Sequence, residues 1–257
     1  MEKLKIVKIG GNLIDDDQKL KDILQDFSNL NDKKILIHGG GKLASALSTQ
    51  LGIVPKLHEG RRITDKESLK IVTMVYAGFI NKSIVAYLQS FGDNALGLTG
   101  ADLDMIRSHR RIVTNIDYGF VGDIDEVNGE ALLNLMNSNV VPVFCALTHN
   151  GKGDLLNTNA DTIASALAAS LSAHFSVDLI YLFEKGGVLH KPDDDNSVID
   201  NINLSTYEKL KKDGTISSGM IPKLDNAFTA LKEGVSSVFV GASGISKERK
   251  GTILSLD

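Results

Sequence analysis

The chain has 257 residues, 42% of them hydrophobic and 23% charged, with a formal net charge of −4. Such proportions exclude a disordered chain and allow a core large enough to fold without staples, while a single cysteine excludes an internal disulfide and points to a reducing, cytoplasmic compartment. Mild acidity argues against bulk attraction to nucleic acid or to an anionic membrane, the N-terminal apolar stretch is too short for a signal sequence, and no segment reads as a membrane span. The unusual feature is 24 glycines against 4 prolines.

Leu4 to Ile9 reads as a short buried strand broken by Gly10-Gly11, and the apolar spacing at Leu20, Ile23, Leu24 and Phe27 predicts a helix over 17–30. A second strand, 34–38, ends in Gly39-Gly40-Gly41 and feeds a helix over 42–51. Strand, glycine turn and helix twice in succession is the pattern of a parallel sheet covered by helices. Thr64 and Glu67 read as a capping box opening a long helix to about Gln89. Residues 97–125 are polar and turn-rich, which predicts hairpins outside the main sheet. A helix over 130–139, a strand over 140–147 and a helix over 162–172 follow, with Asn159 or Asp161 near the cap of the last. Next come a strand over 178–183, a helix over 204–212, a helix with Pro222 in its first turn, and a core strand over 238–240. A lobe boundary is expected near 165–175.

Three glycine clusters, Gly10-Gly11, Gly39-Gly40-Gly41 and Gly186-Gly187, stand just beyond predicted strands. Ligands of open α/β sheets bind at the carboxyl ends of strands, where glycine lets backbone N–H groups close around an anion. Gly39-x-Gly41-x-x-Ala44 also fits the dinucleotide fingerprint, with Glu59 following Gly39 by 20 residues, which is a dehydrogenase reading. It is weakened by its place after the second strand and by the ease with which three successive glycines match. A P-loop motif does not occur.

The charged residues discriminate further. Lys8 lies in an apolar strand two residues before Gly10, so its ammonium is at an edge or faces an anion. Lys223 opens a helix against the dipole. Arg62, beside Arg61, offers a planar fork suited to a carboxylate. His38 reads as a satisfied core histidine and Cys145 as inert packing, while Arg107, Arg110 and Arg111 read as a solvated basic face or a second carboxylate site. Asp193-Asp194-Asp195 reads as an exposed acidic turn.

Lys8-Ile9-Gly10-Gly11, His38-Gly39-Gly40-Gly41, Arg62-Ile63-Thr64, Asn157-x-Asn159-Ala160-Asp161 and Ser218-Gly219-Met220-x-x-Lys223 occur in that order. With them the chain resembles the amino-acid kinase family over essentially its whole length, and within it the members that phosphorylate an N-acyl-L-glutamate. The resemblance implies a three-layer αβα sandwich with a mainly parallel central sheet. It also implies two lobes, about 1–170 for the acylglutamate and about 171–257 for ATP. Lys8 and Lys223 would stabilise the transferring phosphoryl group, Asp161 would hold the two lysines, and Gly11 would donate a backbone N–H. Gly40, Gly41, Arg62 and Asn157 would hold the acylglutamate. Gly10, Lys185, Gly186, Gly187, Val188, Leu189, Thr215, Ile216 and Ser217 would meet the nucleotide, with Mg2+ held mainly by its phosphates and water. Where members commonly carry an aspartate-rich turn, this chain has Glu184-Lys185-Gly186-Gly187. The resemblance further implies a cytoplasmic homodimer, since the chain starts at the first strand as the arginine-insensitive dimers do. Aspartate, glutamate and carbamate kinases of the same fold, and a catalytically dead sensor, are the other readings.

Overall fold

Short runs of valine, isoleucine and leucine between glycine turns pair into an eight-stranded sheet. In the computed structural model, which describes residues 1–58, 61–191, 193–216, 219–242, 245 and 250–257, its order is Asn201–Asn203, Gly251–Ser255, Ser237–Gly241, Ser176–Leu182, Lys3–Ile9, Lys33–His38, Val141–Cys145 and Ala95–Leu98. Only the pairing of Ser237–Gly241 with Gly251–Ser255 is antiparallel. The first strand sits inside the sheet, so both of its faces are covered and its residues from Ile6 to Ile9 are all buried.

Alternation along Lys3–Ile9 sends Leu4, Ile6 and Lys8 to one face and Lys5, Val7 and Ile9 to the other. On the Lys8 face lies the helix Ala160–Leu171, packed against Ile221–Lys232; on the other, Asp17–Ser28 packs against Asn81–Ser90. The sheet is therefore a mainly parallel layer between two layers of helices, as the sequence predicts. A four-stranded sheet of Leu155–Asn157, Leu147–His149, Ile106–Arg110 and Gly122–Val127 and a hairpin of Lys56–His58 with Arg61–Ile63 stand outside it.

Several expectations are corrected. The region 97–125 is not wholly outside the main sheet, because Ala95–Leu98 forms its edge strand. The single strand expected over 140–147 is two, Val141–Cys145 in the large sheet and Leu147–His149 in the small one. The long helix is capped by Asp65, whose carboxylate accepts from the Ser68 N–H at 2.9 Å, not by Thr64. Its course from Lys66 to Ser90 includes a π-helical stretch, Met74–Ile80. This 25-residue run, with a window of mean hydropathy 1.5, does have the length and composition to cross a membrane, contrary to the sequence reading. Its buried Ile71, Val72, Val75, Ile80, Ile84 and Leu88 belong to the domain core, which is the pattern of a core helix.

Lys34 illustrates how the core tolerates charge. Its buried ammonium meets Asp93 at 2.8 Å and the carbonyls of Phe27, Ser28 and Leu30 at 3.2, 2.8 and 3.4 Å, closing the C-terminal end of Asp17–Ser28. Lys34→Met should destabilise the chain by about 3 kcal/mol, because it strands the Asp93 carboxylate. Urea unfolding measures this, and an unchanged midpoint would show that Asp93 is not dependent on the pair.

Candidate active site

Lys8 is 8% exposed and points from the central strand at the first turn of Ala160–Leu171, where its Nζ lies 2.8 Å from Asp161 Oδ1. Asp161 is placed there by its neighbour. Asn159 caps the helix, its Oδ1 accepting from the N–H groups of Asp161 at 2.7 Å and Thr162 at 3.2 Å. A carboxylate in a first turn also suits the helix dipole. From the opposite side, Lys223 Nζ stands 3.9 Å from Asp161 Oδ2 and 4.7 Å from the centre of the Phe183 ring. That anion and that ring face offset the unfavourable position of a lysine opening Ile221–Lys232.

Burial pushes the Asp161 carboxyl up, but the charges of Lys8 and Lys223 and the Lys8 hydrogen bond outweigh it, holding it below the usual carboxylate range. Burial lowers Lys223, and the Lys8 charge adds to that, while Asp161 opposes it. Tyr181 donates to the Asp161 carbonyl at 3.2 Å and meets Ser165 Oγ at 2.6 Å, and Asn226 donates to Thr162 at 3.2 Å, so the two helices bearing Asp161 and Lys223 are stitched together.

A cavity of about 700 Å³ opens over this group, and Lys8, Gly11, Gly40, Gly41, Arg62, Asn157 and Asp161 all line it. Lys223 reaches it through its ion pair with Asp161. Arg62 donates to the Gly41 carbonyl at 2.8 Å and to Ser45 Oγ at 2.5 Å, which docks its guanidinium on the first turn of Gly41–Gln50. Asn157 donates to the buried Thr64 hydroxyl at 3.0 Å, linking two sequence motifs 93 residues apart. Residues 118–120 hold both: the Thr64 N–H donates to the Tyr118 carbonyl at 3.0 Å, while Phe120 supplies an N–H to Thr64 at 2.7 Å and a carbonyl to the Asn157 N–H at 2.8 Å. Gly119 makes this approach with φ +68°, and a Cβ there would lie 2.4 Å from the Thr64 carbonyl oxygen. Gly119→Ala should therefore cost about 2 kcal/mol and weaken substrate binding. A thermal melt together with KM measures both, and an unshifted melt would contradict the close approach.

Gly40 has φ +154°, and an added Cβ would sit 2.3 Å from Ile80 Cδ1 and 3.0 Å from the Tyr76 ring. Gly10 lines neither this cavity nor the next, and its N–H is bonded to the Leu182 carbonyl at 2.8 Å, so it is not free to meet a nucleotide. A second cavity of about 220 Å³ is lined by Phe183, Lys185, Gly187, Val188, Leu189, Ile216 and Met220. Gly186 and Thr215 border that stretch without lining it; Ser217, with Ser218, Glu59 and Gly60, lies outside the described residues. Phe183 lines the second cavity and carries Lys223 on its face, so Lys223 stands between the two.

Sequence reasoning passed over Tyr76, Ser45, Asn226 and Asp123, all on the main cavity, where Asp123 pairs with Arg111. Arg107, Arg110 and Arg111 are not a free basic face: they pair with Asp104, Asp154 and Asp123. Asp195 of the acidic turn pairs with Lys185 at 2.6 Å. His38 and Cys145 are fully buried, as expected of core residues.

The model of the amino acid kinase family matches residues 3–242. The chain belongs to the amino acid kinase family. Relatives from this family include the acetylglutamate kinase of Bacteroides thetaiotaomicron, 50% identical over 98% of each chain. That of Cytophaga hutchinsonii is 54% identical over 93% of this chain and 91% of its own length. Among solved structures, smu.665 of Streptococcus mutans UA159 superposes with a TM-score of 0.83 at 24% identity, over 99% of both chains, and shares the fold.

Proposed function

We propose that the chain transfers the γ-phosphoryl group of ATP to the γ-carboxylate of N-acetyl-L-glutamate, or of another N-acyl-L-glutamate such as N-succinyl-L-glutamate, in arginine biosynthesis. The Lys8–Asp161–Lys223 constellation at the junction of the two cavities carries the reading, and relatives about half identical over nearly the full length support it. The acylglutamate occupies the larger cavity, in a lobe formed by about residues 1–170. Its α-carboxylate and acylamino portion are held by Arg62, Asn157 and the backbone of Gly40 and Gly41. The nucleotide lies along 185–189 and 215–217, in a lobe of about 171–257.

The substrate γ-carboxylate is already ionised near neutral pH, so no general base is required. One carboxylate oxygen attacks the γ-phosphorus in line. The new O–P bond forms as the bond from phosphorus to the β–γ bridging oxygen breaks, and ADP leaves with that electron pair. Carboxylate and triphosphate repel each other, and Lys8 and Lys223 supply converging positive charge between them. Asp161 keeps the ammonium groups from repelling one another and fixes their aim. Its two oxygens face the two lysines, so Asp161 is not free to ligate Mg2+, which would be held by nucleotide phosphates and water. When bound, the ion would supply positive charge that neutralises the phosphates.

The dehydrogenase alternative is not favoured, given the family. A homodimer belongs to the same reading, supported by Met74 and Phe79, exposed by 54% and 68% on the outer side of Lys66–Ser90; light scattering tests it. The function is tested by ADP release over a panel of N-acetyl-L-glutamate, N-succinyl-L-glutamate, glutamate, aspartate and carbamate. Turnover confined to the acylglutamates is expected, and turnover with only the unacylated acids would overturn the assignment.

A further inference from the structure

His38 is fully buried and lines neither of the two cavities, yet it belongs to a chain of hydrogen bonds that finishes on the Gly39 carbonyl. Lys82 Nζ, a donor only, meets Asn81 Oδ1 at 3.1 Å and the Gly97 carbonyl at 3.2 Å. That fixes the orientation of the Asn81 amide. Its two N–H groups then point to the Val143 carbonyl and to His38 Nε2, each at 3.0 Å. Nε2 is therefore the acceptor, the imidazole proton is on Nδ1, and Nδ1 donates to the Gly39 carbonyl at 2.8 Å. Burial pushes the imidazole pKa down to about 4, consistent with a neutral ring. Gly97 makes the room, since a Cβ there would lie 1.9 Å from Asn81 Oδ1.

The bonded carbonyl belongs to the Gly39–Gly40 peptide. A peptide between two glycines flips with little steric resistance, so its direction has to be set from outside. In a trans peptide the N–H points opposite to the C=O. Holding the Gly39 carbonyl on the imidazole thus turns the Gly40 N–H away from His38, on a residue that lines the main cavity.

We propose that His38 is a positioning residue: as the Nδ1–H tautomer set by Asn81 and Lys82, it locks the Gly39–Gly40 peptide so that the Gly40 N–H is presented to a carboxylate-bearing substrate. This rests on the acylglutamate occupying the main cavity. His38 acts on binding of the acceptor and not on the nucleotide or the phosphoryl step.

The test compares His38→Leu, His38→Asn and Lys82→Met with the parent enzyme, for both substrates. His38→Leu should raise KM for N-acetyl-L-glutamate about tenfold, with kcat and the KM for ATP within about twofold. His38→Asn, whose amide can replace the Nδ1–H donor, should return KM to within about threefold of the parent, and the exposed Lys82→Met should fall between. In the parent protein, nitrogen NMR of His38 should show a protonated Nδ1 and a bare Nε2, a readout that survives if His38→Leu does not fold. A proton on Nε2, an equal rise in both KM values, or an Asn variant as weak as Leu would overturn the proposal. Failure of the parent to turn over any acylglutamate would instead overturn the function, with the tautomer result standing apart.

Discussion

Lys8→Ala is expected to lower kcat by about two to three orders of magnitude while KM for either substrate changes by less than about threefold. An ammonium about 4 Å from a phosphoryl oxygen contributes up to about 4 kcal/mol at an effective dielectric near 20, and each ~1.4 kcal/mol is a decade of rate. The charge that Lys8 meets grows between the attacking and leaving oxygens, so its contribution falls on the transition state and not on the bound ground state. Lys8 is held in place by its central strand and by Asp161. Steady-state kinetics settles the point. Parallel losses in kcat and in binding would mean that Lys8 anchors substrate and leaves the chemistry to others.

The second large effect is expected at Asp161. Asp161→Asn leaves two largely buried ammonium groups, with side chains 10% and 12% exposed, facing each other without an anion. Removing one partner from such a group costs about 3 kcal/mol or more, or a Tm lower by about 10 °C for a domain of this size. The pH dependence separates this from ordinary loss of packing. In the parent, the carboxyl is held below its unfolded value, so its contribution is present above about pH 4 and lost as pH falls through the lower folded value. In the variant that acid loss disappears. Lys223 is already lowered by burial and by Lys8, and without Asp161 it is lowered further. Its folded form then binds fewer protons than the unfolded chain, so the variant should gain stability as pH rises. A variant melting with the parent's pH profile would contradict the role given to Asp161.

Much of the central layer was legible because its signals are local. Apolar runs ending in glycine predict Lys3–Ile9, Lys33–His38 and Ser176–Leu182 within two residues. Lys8 stood out as a cation in an apolar strand, and Asn159 as a cap next to Asp161. Residues that depend on long-range packing were not legible. Thr64 looked like a cap and is a buried acceptor for Asn157, which only the fold brings near. Tyr76 reaches the cavity from a π-helical stretch that the helical period does not announce. The edge strand Asn201–Asn203 and its neighbour Gly251–Ser255 are short segments whose pairing partners are set by topology. Gly119 is required by one backbone contact across the molecule, which no spacing encodes.

The central claim is phosphoryl transfer onto a side-chain carboxylate, and trapping the product tests it most directly. The acyl phosphate formed from N-acetyl-L-glutamate and ATP reacts with hydroxylamine to give the γ-hydroxamate and free phosphate. Incubated with both substrates, Mg2+ and hydroxylamine, the protein should yield γ-hydroxamate and ADP in equal amounts, and the Lys8→Ala variant should yield neither at a comparable rate. ADP released without hydroxamate, or hydroxamate formed undiminished without Lys8, would contradict it.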